Sequence, residues 1–152
     1  MFPEPDARTR DRPGLITWTT AWEDAGPALD LLCRAAERID ILSPTGVPAL
    51  TGLDPARCTA YVSEGTTADR SDVTVRVIPW RVGLYPGIGR VVTLFRLPGG
   101  RAVVHYPCPH GAVFTEDPAE CRAAREVFDR LPAYAAERSL KRPAGGERSG
   151  PG

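Results

Sequence analysis

The stretch VVTLFRLPGGRAVVHY, residues 91–106, decides how this chain folds. Residues 91–97 and 102–106 are rich in β-branched and aromatic side chains, which favour strands. Between them stands Pro-Gly-Gly at 98–100, a sequence typical of a tight turn. The stretch therefore predicts an antiparallel hairpin, and the remaining elements are expected to assemble around it.

Periodicity on both sides of the hairpin predicts further strands. They are expected at residues 15–20, 39–42, 59–62, 73–78 and 111–115. Residues 43–56 contain three prolines and two glycines, so this segment is expected to be a loop with at most one turn of helix.

Two helices complete the prediction. The first is expected to follow residue 20, with Asp24 as its cap and Pro27 in its first turn. The second is expected to open with Asp117 as N-cap and Pro118 at its first position. Because a proline interrupts helical hydrogen bonding, Pro132 predicts a kink or break near residue 129. This order of elements predicts an α+β domain: a mixed, mainly antiparallel sheet with helices packed on one face.

The composition is that of one ordinary globular domain. Of the 152 residues, 42% are apolar and 25% are charged, which excludes fibrous and wholly disordered chains. Residues 1–14 and 139–152 have little to bury and are expected to be disordered tails. The sequence therefore predicts a single domain over residues 15–138.

Charge and hydropathy narrow the class of protein further. Nineteen basic residues, of which Lys141 is the one lysine, balance nineteen acids, so the net charge gives no reason to expect nucleic-acid or membrane-surface binding. No apolar run has the length of a membrane helix, and no signal peptide is recognisable at Met1. We therefore expect a cytoplasmic protein whose four cysteines are free thiols.

The charges are nevertheless distributed unevenly. Between residues 73 and 115 there are five arginines, interleaved with aromatic residues, and not one Asp or Glu. On one interpretation they form a surface that attracts nucleic acid or an acidic partner. On the other, which we favour, the acid-rich last helix supplies their carboxylate partners. The five are Arg76, Arg81, Arg90, Arg96 and Arg101.

Three metal-ligand side chains lie within six residues: His105, Cys108 and His110. A tetrahedral zinc site needs a fourth ligand, and the intervening prolines hold the segment extended, so that neighbouring side chains diverge. We expect no metal, no cofactor and no catalytic residue. A small enzyme or metal-binding protein that uses these three residues is kept as the alternative hypothesis.

Several pieces in a fixed order resemble a known class of domain. A valine-rich strand ends in Ile78-Pro79-Trp80, Pro86-Gly87 follows in a loop, and Glu116-Asp117-Pro118 opens a helix with Phe128 and Leu131. In this order they resemble the uncharacterised C-terminal domain that follows an XRE-type helix-turn-helix in many actinobacterial regulators of the antitoxin-like class. A helix-turn-helix needs two helices, whereas one is predicted before Ile41. The resemblance therefore implies an effector or partner-binding domain without its own DNA reader.

The loop at residues 79–90, PWRVGLYPGIGR, is the candidate contact surface. Trp, Tyr and Arg dominate binding energy when they are exposed on a loop, and the candidates here are Trp80, Arg81, Tyr85 and Arg90. We expect a regulatory domain that binds a protein partner or a small ligand, with direct nucleic-acid binding disfavoured. The identity of the partner, and whether the chain forms a homodimer, stay open at this point.

Overall fold

The computed structural model describes residues 17–46, 50, 52–66 and 72–138. Its helices are α1 (Trp22–Ala35) and α2 (Pro118–Arg130). Its strands are β1 (Thr17–Ala21), β2 (Arg38–Leu42), β3 (Cys58–Ser63), β4 (Thr74–Ile78), β5 (Val92–Arg96), β6 (Ala102–Cys108), β7 (Gly111–Thr115) and β8 (Ala136–Arg138). The expected tails lie outside the described residues.

All eight strands form one sheet in the order β1-β7-β6-β5-β2-β3-β4-β8. The predicted hairpin is confirmed, since β5 and β6 pair antiparallel with Phe95 opposite Val103. Only the β2–β3 and β3–β4 pairs are parallel, whereas the other five are antiparallel. The α+β class and the mixed, mainly antiparallel sheet are therefore confirmed.

The two helices cover opposite faces of this sheet, not one face as expected. Leu32 of α1 belongs to a core cluster with Phe95 and Val103, whereas Phe128 of α2 belongs to a second cluster with Leu94. Because neighbouring side chains in a strand point to opposite faces, Leu94 and Phe95 separate the two clusters. We call the two sides of the sheet the α1 face and the α2 face.

The start of α1 also differs from the prediction. The helix begins at Trp22 directly after β1, and its N-cap is Ala21, which makes no side-chain capping bond. Asp24 is therefore not the cap but lies inside the first turn, where a carboxylate still interacts favourably with the helix dipole. Because the helix starts earlier than predicted, Pro27 falls in its interior.

The start and end of α2 confirm the sequence prediction. Asp117 is the N-cap, and its Oδ2 accepts a hydrogen bond of 3.1 Å from the backbone N–H of Glu120. The α-helix ends at Arg130, one residue beyond the predicted break, and Leu131–Ala133 continue as a 3-10 turn around Pro132. Within the described residues, no helix has the length and apolarity that crossing a membrane requires.

The remaining strands lie close to their predicted positions. Residues 39–42, 59–62, 73–78 and 111–115 all fall within one residue of observed strand ends. Of the first predicted strand, residues 15 and 16 lie outside the description. The loop at 43–56 has the expected short turn, a 3-10 helix at Pro55–Arg57, while residues 47–49 and 51 are not described. The strand β8 was not predicted.

Candidate functional site

The β4–β5 loop, residues 79–91, carries a group of exposed apolar side chains. The exposed fractions are 72% for Trp80, 82% for Leu84, 47% for Ile88 and 39% for Val91. Among the described residues, these four are the only large hydrophobic side chains that are exposed. Since a folded chain normally scatters such side chains, their concentration in one loop marks this surface as unusual.

The backbone of this loop is held by a series of tight turns. Trp80–Val82 form a 3-10 turn, and Gly83 donates a hydrogen bond of 3.1 Å to the carbonyl of Trp80. The N–H of Trp80 donates to Oε1 of Glu64 at 2.8 Å. These bonds use backbone atoms of Trp80, so the indole contributes to the surface without being needed for the turn.

The four candidate residues of this loop have different environments. Trp80 and Arg81 are exposed on its outer side, whereas Tyr85 is half-buried and packs against the core on the α2 face. Arg90 is exposed at the far end of the loop, where it lines a cavity. Trp80 and Arg81 are therefore accessible to solvent, Tyr85 anchors the loop, and Arg90 belongs to a separate recess.

Gly87 brings the loop into direct contact with the α2 face. Its φ is +79°, a conformation that L side chains rarely adopt. A Cβ atom at this position would lie 2.8 Å from Cδ2 of Leu42 and 3.0 Å from Cγ1 of Val127. Only glycine permits the backbone at residue 87 to lie this close to Leu42 and Val127. This contact sets the distance of the loop from β2 and α2.

The cavity beside Arg90 has a volume of about 310 Å³ and lies between the loop, β5, β6 and α2. Its polar lining consists of Arg90, Tyr106 and Glu120, and its apolar lining includes Val92, Ala124 and Val127. The hydroxyl of Tyr106 donates a hydrogen bond of 3.1 Å to Oε1 of Glu120. Burial and the nearby Glu120 carboxylate raise the pKa of Tyr106 to about 12, so its hydroxyl keeps its proton at neutral pH.

A buried ion cluster at the edge of α2 was missed by the sequence analysis. Asp40 has no exposed surface, and its two oxygens accept from Nε of Arg38 at 3.3 Å and Nε of Arg96 at 3.2 Å. Arg96 also lies 3.7 Å from the carboxylate of Asp129 in α2. Burial raises the pKa of Asp40, while the two arginines act in the opposite direction. The available signal was a charged residue inside the apolar strand RIDIL, residues 38–42.

Two arginines of the acid-free stretch, Arg96 and Arg101, form ion pairs with carboxylates from other parts of the fold. Arg96 is paired with Asp40 and Asp129, and Arg101 lies 2.8 Å from Glu116. Two of these acids belong to the last helix or directly precede it. The last helix and the residues before it therefore supply the partner of Arg101, whereas the hydrogen-bonded partner of Arg96 is Asp40 of β2.

The structure separates the three candidate metal ligands. His105 lies on the α1 face of β6 against the ring of Phe114, with the ring centres 5.1 Å apart. Three residues further along the strand, Cys108 points to the opposite face, while His110 is exposed in the following turn. Among the described residues, no three histidine, cysteine or acidic side chains are grouped to hold a metal ion.

His105 is a half-buried side chain whose Nδ1 atom is covered by protein. Within the described part of the chain, this nitrogen has no hydrogen-bond partner. Burial lowers the pKa of His105 to about 4, so the imidazole is neutral at physiological pH.

The four cysteines are free thiols in the structure. Cys33, Cys58 and Cys121 are buried, whereas Cys108 is half-buried near the end of β6. Burial raises the pKa of Cys33 to about 11, and it also raises the pKa of Cys121. Cys33 and Cys121 are therefore protonated core side chains rather than nucleophiles.

Comparison with known proteins adds one finding. No curated protein matches the chain. Residues 65–141, just over half of the 152 residues, match the family described as a domain of unknown function, DUF5753. The matched region contains the β4–β5 loop and every residue that lines the cavity beside Arg90. The chain therefore belongs to the DUF5753 family.

Proposed function

We propose that this domain is a non-catalytic regulatory module that binds a protein partner through the β4–β5 loop. The observation that carries the proposal is that Trp80, Leu84, Ile88 and Val91 are all exposed in this one loop. Exposed large apolar side chains that are concentrated in one segment are typical of interaction sites, and tryptophan contributes more than most residues to binding energy.

The construction of the loop supports a role in binding rather than in stability. The loop is anchored to the α2 face of the sheet by three of its residues, Val82, Tyr85 and Gly87. The side chains of Trp80 and Leu84 are then presented on a positioned backbone, which lowers the entropy cost of binding.

The resemblance in sequence supports a role in transcription regulation or in an antitoxin-like system. The stretch from Val73 onward resembles domains that follow a helix-turn-helix in actinobacterial regulators. We therefore propose a cytoplasmic role in a transcription-regulatory or antitoxin-like system, with a helix-turn-helix protein or a small toxin as the class of partner. Direct nucleic-acid binding is less favoured, since acids already neutralise Arg96 and Arg101.

The test compares the double variant Trp80→Ala, Leu84→Ala with the unaltered protein. Truncating two central contact residues is expected to weaken co-purification of the partner from cells that naturally express this gene by about 30-fold or more. The free energy of unfolding should change by less than about 1 kcal/mol, because both side chains are exposed.

The matched control is Arg130→Ala, at an exposed residue at the end of α2. It should retain the partner fully. Equal recovery of the partner with the double variant would refute the proposal, and a large loss of stability would show that the loop belongs to the core. Light scattering of the purified protein identifies the case in which the partner is a second copy of the chain.

A further inference from the structure

Two oppositely charged side chains line the cavity beside Arg90. Arg90 and Glu120 both line it, yet within the described residues they form no ion pair with each other. Glu120 instead accepts the hydroxyl of Tyr106, which leaves its charge in place. A cation and an anion therefore line the same recess.

We propose that this cavity binds a small zwitterion, an α-amino acid with an aliphatic side chain. The carboxylate of the ligand would face Arg90, and its ammonium group would face Glu120. Such charge-assisted contacts are stronger than neutral hydrogen bonds, and a guanidinium offers two parallel donors to a carboxylate.

The remainder of the lining suits the rest of such a molecule. Val92 is a buried residue of the cavity lining, and Ala124 and Val127 of α2 add further apolar surface to it. The volume of about 310 Å³ lies at the lower end of the range for ligand sites, which favours a molecule of metabolite size over a large cofactor. An aliphatic side chain would be removed from water on this surface.

The two charges also disfavour simpler ligands. A plain anion that approaches Arg90 meets repulsion from Glu120, and a plain amine that approaches Glu120 meets repulsion from Arg90. Only a molecule that carries both charges satisfies both groups. This site is distinct from the proposed partner surface, because Trp80 and Leu84 do not line it.

The test is isothermal titration of the full chain with L-leucine, L-valine and L-isoleucine, followed by two derivatives of leucine. N-acetyl-L-leucine lacks the ammonium charge, and L-leucinamide lacks the carboxylate. At least one of the three amino acids is expected to bind with a dissociation constant of millimolar or tighter, and each derivative about tenfold more weakly. Glycine, which has no apolar side chain, should also bind more weakly.

Variants connect the binding to the cavity. Arg90→Ala and Glu120→Gln should each weaken binding about tenfold. Glutamine can still accept the hydrogen bond from Tyr106, so the wall of the cavity is kept. The matched controls are Arg130→Ala and Glu126→Gln, which make the same charge changes at exposed positions of α2 outside the cavity. They should bind like the unaltered protein.

Several results would overturn the proposal. One is the absence of measurable binding for all three aliphatic amino acids at millimolar concentration. Another is a derivative that binds as tightly as the parent amino acid, since the missing charge would then be irrelevant. A third is equal weakening by the control variants. None of these outcomes concerns the surface around Trp80. Failure of the ligand-binding proposal would therefore leave the partner-binding proposal unaffected.

Discussion

The clearest quantitative prediction concerns His105 and the dependence of stability on pH. In the folded protein, burial lowers the pKa of His105 to about 4, whereas in the unfolded chain the pKa returns to its ordinary value of 6.5. Between pH 6.5 and pH 4, His105 is therefore protonated in the unfolded state but stays neutral in the folded state. The free energy of unfolding must fall as the pH is lowered from 6.5 toward 4, and the loss is complete below pH 4.

The two pKa values set the size of this effect. A difference of 2.5 pH units corresponds to about 3.4 kcal/mol in the limit of low pH. At pH 5.0 the expected loss is about 2 kcal/mol, and at pH 7.5 it is close to zero. Because the side chain is half-buried, the measured value is expected at or below these figures.

The assay is urea unfolding at pH 7.5 and pH 5.0 for the unaltered protein and for His105→Phe. Phenylalanine can occupy the same place beside Phe114 and does not titrate in this range. The unaltered protein should lose about 2 kcal/mol more than the variant between the two pH values. His110→Gln, at the exposed histidine, should behave like the unaltered protein. Equal losses for the unaltered protein and His105→Phe would refute the reasoning.

Three further predictions concern the core and the loop. Asp40→Ala should lower the free energy of unfolding by about 2 kcal/mol in urea titration, because Arg38 and Arg96 both lose the buried carboxylate that accepts from them and Arg96 keeps only Asp129 nearby among the described carboxylates; a loss below about 1 kcal/mol would contradict this. Gly87→Ala should cost about 1 kcal/mol more than Gly89→Ala, since the two share a φ of +79° but only the first Cβ would collide with core atoms; equal losses would count against the close approach. A thiol reagent at pH 8 should react first with Cys108 and far more slowly with buried Cys33, so a fast phase that persists in Cys108→Ser would be inconsistent with the structure.

The elements with strong local signals were predictable from the sequence. The hairpin of β5 and β6 follows from two β-branched runs around Pro98, Gly99 and Gly100, and every one of these cues lies within about sixteen residues. The start of α2 follows in the same way from Asp117, whose side chain bonds to a backbone group three residues away. Interactions within one turn or one hairpin involve residues that are close together in the sequence, so the sequence alone is enough to predict them.

Features that depend on distant pairing were not predictable. Whether α1 and α2 lie on one face or two depends on how each strand is connected across the sheet, and the periodicity of either helix says nothing about that choice. The ion cluster of Asp40 joins residues that are 56 positions apart in the case of Arg96. The cavity likewise has both Arg90 and Glu120 in its lining only because the loop and α2 cover the same face. These arrangements follow from the assembled sheet rather than from local preference.

The position of β1 at one edge of the sheet has a consequence for how the chain acquires its structure. Among the described strands β1 pairs with β7 alone, and Thr17 pairs with Thr115, a residue nearly one hundred positions later. During synthesis, β1 therefore cannot pair until β7 has been made, which requires most of the chain. By contrast, β5 and β6 are adjacent in the sequence and can pair as soon as both have been synthesised. Contacts of such long range slow folding, so we expect the central hairpin to form early and the docking of β1 to limit the final rate.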